Sequence, residues 1–588
     1  MENKQVLVLV NGTEKYVYIG TYLHEILQET KEFFMPCAGH GRCGKCKILA
    51  KGVLSEPNEK ECTYLTKQEL ERGIRLACQT KVLGSCQISS MQEGTIEVLL
   101  NKESIQQTTM EVMLNEEVVP KTTIEVTSHK KIMFNTDTVE GTKRMFETLG
   151  AAVDIGTTTL AVSLYDAHGL VGQLGAVNPQ MAFGADVISR MEQSLNGKSE
   201  QLANAIQRGI ADLLQQICEK YRYRVEDIDT LVIAGNTVML YLLTKKNPKA
   251  LSRAPFQADW LAGEWVEESE LELGCPQAKV YLPYCISAFV GADITMALLY
   301  TNICRDDKKR LLVDIGTNGE VALWTGEKLL CCSTAAGPAF EGTGLTMGMT
   351  ASIGAISKVS YAQTARHFVS SIQNVFSGEC EAACVHEECS KNPTKLDSRI
   401  PNVHFTEETS NYVSNKEVFH VQVIGNTNPI GICGSGVIDA VSCFLQSGRM
   451  DETGYLEEEE VFLAGDVRLT QEDIRKIQLA KSAICAGIEA VLHQEKMTIE
   501  DLDELLIAGG FGSKIDLKNA INIGLLPQID VEKIKVCGNA ALAGAEQLLH
   551  NSVLLEKQQE IIQVSQTFEL ATNAFFQERY IEGMFFPE

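Results

Sequence analysis

The sequence predicts a multidomain α/β protein: a small cysteine-bearing unit at the N-terminus and a large duplicated α/β body behind it. Three observations carry this. A Gly-rich loop with three cysteines follows two short strand patterns within residues 1–50. An apolar run ending in Asp, a Gly-Thr turn and a second apolar run occur twice, at AAVDIGTTTLAVSLYD (151–166) and LLVDIGTNGEVALW (311–324), 160 residues apart. Charge is also divided: residues 1–95 hold 12 Lys and Arg against 11 Asp and Glu, and the rest holds 40 against 66.

Composition bounds the rest. A chain of 588 residues, 45% hydrophobic and 22% charged with 14 Pro, folds into several domains and is not mainly disordered. A net charge of −25 argues against nucleic acid as a partner, since such binding rests on clustered Lys and Arg. The longest uncharged stretches, 342–357 and 421–438, are broken by Gly, Thr, Asn and Pro. A membrane span needs roughly 20 mainly apolar residues, so no membrane association is expected. The start MENKQVLVLVNGTEK has too short an apolar run for a secretory signal, and a cytoplasmic location is expected. Reduced thiols then make the 19 Cys candidates for metal ligation or for buried packing.

In the first unit, residues 5–10 and 16–20 read as strands around the turn Asn11-Gly12. A helix is predicted at about 22–31, with Leu23, Ile26 and Leu27 on one face. Then Cys37, Cys43 and Cys46 stand at C-x5-C-x2-C, and Cys78 follows 32 residues later. Four thiolates suit zinc or an iron–sulfur cluster. Zinc ribbons usually pair two C-x2-C knuckles, and here there is one. Three ligands in one Gly-rich loop plus a distant fourth favour [2Fe–2S], with one residue more than the usual plant-type spacing. Gly39, Gly41 and Gly44 let such a loop wrap closely. Cys62 and Cys86 fall outside the spacing and read as non-ligands. Residues 1–95 thus resemble a β-grasp [2Fe–2S] ferredoxin of the adrenodoxin-like form. Residues 96–148, rich in Thr, Glu, Lys and Asn with short alternating runs such as TTIEV (122–126), read as a hinge or small connecting domain.

The body, 149–588, divides at about 305 into two halves that each open on the repeated turn. Gly156 and Gly316 permit tight turns whose amides can face a phosphate. Thr157, Thr158, Thr317 and Asn318 put short polar groups at phosphate reach. Asp154 and Asp314 end their strands with a carboxylate suited to hydrated Mg²⁺. One such turn is an ordinary hairpin; two in matching contexts point to a shared cleft. A third element, LLIAGGFGSKIDL (505–517), runs a strand into Gly509, Gly510 and Gly512, where a flat base or ribose could approach the backbone. VIAGNTVMLYLL (232–243) echoes it in the first half. GICGSGVIDA (431–440) is a further strand-to-helix glycine turn, which brings Gly434 near a bound nucleotide.

In this order the elements resemble the superfamily of acetate kinase, sugar kinases, Hsp70 and actin, built on a duplicated RNase H-like fold. The resemblance implies ATP and Mg²⁺ as ligands. The two Asp hairpins would grip the phosphates, with Asp154 and Asp314 catalytic, and Gly509, Gly510 and Gly512 would contact adenosine. A [2Fe–2S] ferredoxin fused to this ATPase type is similar to the reductive activators of corrinoid proteins in anaerobic methyl-transfer systems, such as acetogen O-demethylases. NPQMAFGADVISRM (178–191), FVGADITMA (289–297), AAGPAFEG (335–342) and the terminal MFFP (584–587) extend that likeness. It implies ATP-dependent, one-electron reduction of a protein-bound corrinoid from Co(II) to Co(I). The cluster lies near roughly −400 mV, above that couple, so the transfer is uphill and ATP drives it. Implied partners are a corrinoid protein and a low-potential donor such as ferredoxin or flavodoxin; a homodimer is compatible with the reading. The polar stretch 359–420 departs from the family, and its Cys380, Cys384, His386 and Cys389 read as incidental thiols of an insertion, with a zinc or second cluster site as the alternative. Two rivals stand beside the activator: a small-molecule kinase carrying a redox-sensing ferredoxin, and a redox relay with a non-catalytic nucleotide-binding domain.

Overall fold

The computed structural model describes residues 5–27, 41, 44, 46–65, 67–90, 124–125, 143–361, 419–510 and 514–587. The first unit opens on a hairpin, β1 (Gln5–Val10) and β2 (Thr13–Tyr18). Asn11 (φ 47°) and Gly12 (φ 85°) are both left-handed, which a two-residue turn matched to strand twist requires. Pairing therefore resumes at once, with Val10 opposite Thr13, and the second strand starts three residues before the expected Tyr16. Leu23, Ile26 and Leu27 are buried on the short helix Leu23–Leu27, the described part of the helix expected to about 31. Three strands complete the sheet: β3 (Lys47–Leu54), β4 (Ile74–Leu76) and β5 (Val82–Ser90). Its order β2-β1-β5-β3-β4, with β1 and β5 parallel, is a β-grasp. Val8, Val10, Ile48, Leu76, Val82 and Ile88 form its own core.

A buried ion pair fixes the turn that carries Cys78. Glu61, fully buried on the helix Glu59–Tyr64, accepts from Arg75 Nε and Nη2 at 2.9 Å, Leu76 N–H at 3.1 Å and Thr80 Oγ1 at 2.9 Å. Burial alone would raise its pKa. The hydrogen bonds from Arg75, Leu76 and Thr80 and the Arg75 charge outweigh burial, and the pKa falls below the ordinary 4.5. Glu61→Ala leaves Arg75 buried without its counter-charge, at a cost of about 3–5 kcal/mol. We expect early thermal loss of the cluster absorbance in the full chain. In wild type the Glu61 contribution is complete above pH 4.5 and is lost as pH falls through the lower folded value. An unchanged melt of the variant would refute this.

A short strand β6 (Ile124–Glu125), within the alternating run of the connector, pairs antiparallel with Leu174 and Gly175 at a sheet edge of the body. Residues 143–148 also lie against the body: Met145 N–H donates to Leu549 O at 3.0 Å, and Phe146 is buried.

The first half of the body contains β7 (Leu149–Ile155), β8 (Thr159–Asp166), β9 (Gly169–Val177), β10 (Ile228–Gly235), β11 (Glu264–Glu267) and β12 (Lys279–Leu282). The second contains β13 (Arg310–Ile315), β14 (Gly319–Trp324), β15 (Leu329–Thr334), β16 (Ala355–Tyr361), β17 (Phe419–Val423), β18 (Gly431–Ile432), β19 (Glu460–Ala464), β20 (Val467–Thr470), β21 (Glu504–Ala508), β22 (Ile534–Gly538) and β23 (Ser565–Thr567). The two main sheets run β11-β12-β10-β7-β8-β9-β6 and β22-β21-β13-β14-β15-β23. The stretch β12-β10-β7-β8-β9 repeats as β22-β21-β13-β14-β15, with the same parallel and antiparallel pairings. This is the duplication that the paired Asp-Ile-Gly-Thr turns predict. The long amphipathic helices Ser199–Tyr221 and Gln471–Gln494 cover equivalent faces, on β8–β9 and on β14–β15.

The halves join through the helices Ala292–Thr301 and Ala540–His550. They approach so closely that a Cβ on Gly544 would lie 2.0 Å from Met296 O. The polar insertion leaves from β16 and returns on β17, where Tyr361 pairs with Phe419. Residues 359–361 and 419–420, read as the ends of the polar stretch, are strand, and Cys380, Cys384, His386 and Cys389 lie outside the described residues.

Candidate functional site

Strand register builds the cleft. Asp154 is the penultimate residue of β7 and pairs across to Ala234 on β10; Asp314 is the penultimate residue of β13 and pairs across to Ala508 on β21. Each carboxylate therefore stands beside an Ala-Gly strand end, AGN (234–236) or AGG (508–510). Asp154, Gly156, Thr157, Thr158, Asp314, Gly316, Thr317, Asn318, Gly434, Gly509 and Gly510 all line one cleft of ≈1220 Å³ of empty space, open mouth included. Gly512 lies outside the described residues.

The turns are held from behind. Asn178 Nδ2 donates to Gly156 O at 2.8 Å, and Arg190 Nη2 donates to Thr157 O at 2.5 Å. Arg190 is fully buried; burial lowers its pKa to about 9, against the charges of Asp186 and Glu341. Gly509 (φ +112°) needs to be glycine, because a Cβ there would lie 2.5 Å from Ile315 O. Around a Gly510 Cβ nothing lies within 4 Å, which leaves room beside the backbone. Gly434 opens the helix Gly434–Gln446, so its N-terminal turn faces the cleft.

Sequence reasoning missed several cleft residues. Asp293, in the first turn of Ala292–Thr301, reads as a helix-start residue. Glu320 reads as one member of a strand, and Glu341 as a loop residue. Asn236 Nδ2 donates to Thr157 Oγ1 at 3.3 Å, and Asn539 Nδ2 to Asp154 Oδ2 at 2.8 Å. The echo VIAGNT did place Asn236 at a strand end, and the phrases FVGADITMA and AAGPAFEG contain Asp293 and Glu341 without assigning them a role.

The cleft is strongly acidic. Burial pushes Asp154 up to about 6, partly countered by Asn539. Burial, then the charges of Asp293, Asp154 and Glu341, push Asp314 up to about 8. Asp293 and Glu320 are raised by burial and by neighbouring carboxylates. Oxygen donors crowded in this way fit a hard divalent cation. Among the described residues no three His, Cys, Asp or Glu side chains close on a metal ion. The glycine turns, the hydroxyls and the open space at Gly510 fit a nucleotide.

In the first unit, Cys46 and Cys78 are both buried with their sulfurs 3.3 Å apart. Gln79 Nε2 donates to Cys78 Sγ at 3.3 Å. Gly44 (φ +62°) must lack a side chain, because its Cβ would lie 2.8 Å from Tyr64 Cβ. Two adjacent thiols, Cys46 just before β3 and Cys78 just after β4, fit a cluster held by cysteines. Cys37 and Cys43 lie outside the described residues. Cys62 is exposed on the helix Glu59–Tyr64, and Cys86 is buried on β5.

Three family models match separate parts of the chain and leave residues 84–148 uncovered. Residues 8–83 match the 2Fe-2S iron-sulfur cluster binding domain, 149–306 the RACo middle region, and 308–386 with 398–588 the C-terminal domain of RACo, the ASKHA domain. The chain is 32% identical over 472 residues to the corrinoid activation enzyme RamQ of Eubacterium limosum, covering 75% of this chain and 70% of that one. It is 24% identical to the [Co(II) methylated amine-specific corrinoid protein] reductase of Methanosarcina barkeri, covering 74% and 76%. A solved structure titled reductive activator for corrinoid, iron-sulfur protein matches with a TM-score of 0.64 and 25% identity, over 99% of this chain and 98% of that one.

Proposed function

Since the chain belongs to the RACo family of reductive activators of corrinoid proteins, we propose that it reduces a protein-bound corrinoid from Co(II) to Co(I) by one electron, driven by MgATP in the cleft. One observation carries the ATP-driven part: two equivalent strand-end carboxylates, Asp154 and Asp314, face each other across a cleft between two duplicated halves. A one-electron relay alone has no use for such a pair. When bound, the cluster supplies single electrons at low potential, and MgATP supplies binding free energy that differs between open and closed cleft.

The chain's own residues divide the work. Cys37, Cys43, Cys46 and Cys78 hold the cluster. Thr157, Thr158, Thr317 and Asn318 offer donors to phosphates, and Asp154 and Asp314 orient the cation and its waters. Gly434, Gly509, Gly510 and Gly512 let the nucleotide approach the backbone. Arg190, behind the first turn, fixes the Thr157 carbonyl. The Ala292–Thr301 and Ala540–His550 helices begin at the cleft and cross between the halves, so closure of the cleft turns one half against the other. The electron donor is a low-potential protein. The partner is a corrinoid protein, because the acidic body offers a surface that a free corrinoid would not use.

The test is the anaerobic Co(II)-to-Co(I) absorbance change of a corrinoid protein under reductant. Reduction is expected with wild type and ATP, and near-background rates with a non-hydrolysable analogue or with Cys78→Ala, which also loses iron and sulfide. Equal reduction without ATP, or with the cluster-free variant, defeats the proposal. A phosphorylated small molecule among the products would favour a kinase instead.

A further inference from the structure

Glu341 ends the tight turn Pro338–Glu341, between Gly337 (φ +80°) and Gly342 (φ +74°). A Cβ on Gly342 would lie 1.8 Å from Met349 O, and Ala339 and Phe340 are buried in the core of the second half, so the turn has little freedom. Its carboxylate touches both halves. Oε1 accepts Thr317 N–H at 2.7 Å; Oε2 accepts Thr317 Oγ1 at 2.7 Å and also Thr158 Oγ1. Thr158 belongs to the turn after β7, and Thr317 to the turn after β13.

One amide and two hydroxyls converging on an anion are the donor set that a phosphate oxygen would use. A carboxylate and a phosphate cannot share these donors, and they repel each other. We infer that Glu341 is a phosphate-displaced latch: its carboxylate bridges the two turns, and the phosphate chain of the nucleotide takes over that bridge and expels it. The inference rests on the nucleotide reading of the cleft.

The displacement has a consequence for affinity. Phosphate must first compete with a charge-assisted contact already made, so wild type binds more weakly than the donors alone would allow. With Ala339 and Phe340 anchored and Gly342 packed against Met349, the motion is confined to the Glu341 side chain. The alternative role, a carboxylate that helps hold Mg²⁺, predicts the opposite sign on removal.

The experiment is equilibrium binding of MgATP and of adenosine to the full chain, for wild type, Glu341→Gln, Glu341→Ala and Glu320→Gln. Glu341 is only partly buried, and Gln preserves its shape, so that variant guards against a folding defect. MgATP should bind Glu341→Ala about tenfold or more tighter than wild type, the effect of one lost charge-assisted contact. Adenosine should bind all four alike. Glu341→Gln should fall between, since its amide oxygen still accepts from Thr317. Glu320→Gln alters a cleft carboxyl without freeing the donors and should gain less than Glu341→Ala. Equal or weaker MgATP binding by Glu341→Ala, or an equal gain in Glu320→Gln, overturns the latch. If wild type binds no MgATP, the nucleotide reading falls as well; if wild type binds and Glu341→Ala does not tighten, the latch alone falls.

Discussion

Asp314→Asn and Asp154→Asn are each expected to cut Mg²⁺-dependent ATP hydrolysis by about a hundredfold or more, with the iron–sulfur spectrum unchanged. Asn keeps the shape of the side chain but cannot offer the charge that holds a hydrated cation. The two variants should differ in stability. Asp314 sits among Asp293, Asp154 and Glu341, and its pKa of about 8 reports burial beside like charges. At pH 7 the folded state must hold this carboxyl largely protonated, a cost that Asn does not carry, so Asp314→Asn should melt at or above the wild-type temperature while turnover collapses. Asp154 accepts a hydrogen bond from Asn539, at the start of the Ala540–His550 helix. An Asn there brings two amides together and should bring no gain in melting temperature. Normal hydrolysis by both variants would refute the two-carboxylate site.

Two glycines inside helices should respond to alanine with opposite signs. On Gly544 the added Cβ would lie 2.0 Å from Met296 O and 2.5 Å from Met296 C. These are backbone atoms of the facing helix, which can yield only if the helices separate. Gly544→Ala should cost about 3 kcal/mol or more, and it should weaken MgATP binding because both helices begin at the cleft. On Gly487, in Gln471–Gln494, the Cβ would meet Thr334 Cγ2 and Val321 Cγ2 at 3.6 Å, an ordinary contact. Gly487→Ala should stabilise by up to about 1 kcal/mol through helix propensity. Denaturant melts of the full chain read both. A stabilised Gly544→Ala would mean that the helices do not bear on each other as described.

What was legible in the sequence is what local chemistry dictates. The Asn11-Gly12 turn, the two Asp-Ile-Gly-Thr hairpins and the Ala-Gly strand ends each have residue types that few other conformations tolerate, and the duplicated sheet follows from their repetition. Asp293, Glu341 and Asn539 were not legible as site residues. Each looks locally like a helix-start or loop residue, and each reaches the cleft only because a strand or helix from elsewhere in the fold carries it there. Glu320 was hidden differently: it stands in the run GEVALW, buried throughout, where a strand needs no charge. The small sheet of β16, β17 and β18 also escaped, because β17 lies beyond the polar stretch that separates it from its partner.

The pairing of Tyr361 with Phe419 has a consequence for the length of chain between them. The chain leaves and re-enters the fold at neighbouring points on adjacent strands. Loop-closure entropy grows only slowly with length, by about 0.6 kcal/mol per doubling. The register of β16 on β17 therefore fixes where an excursion begins and ends without fixing its length, while the strands that lead back to Gly434 stay in place.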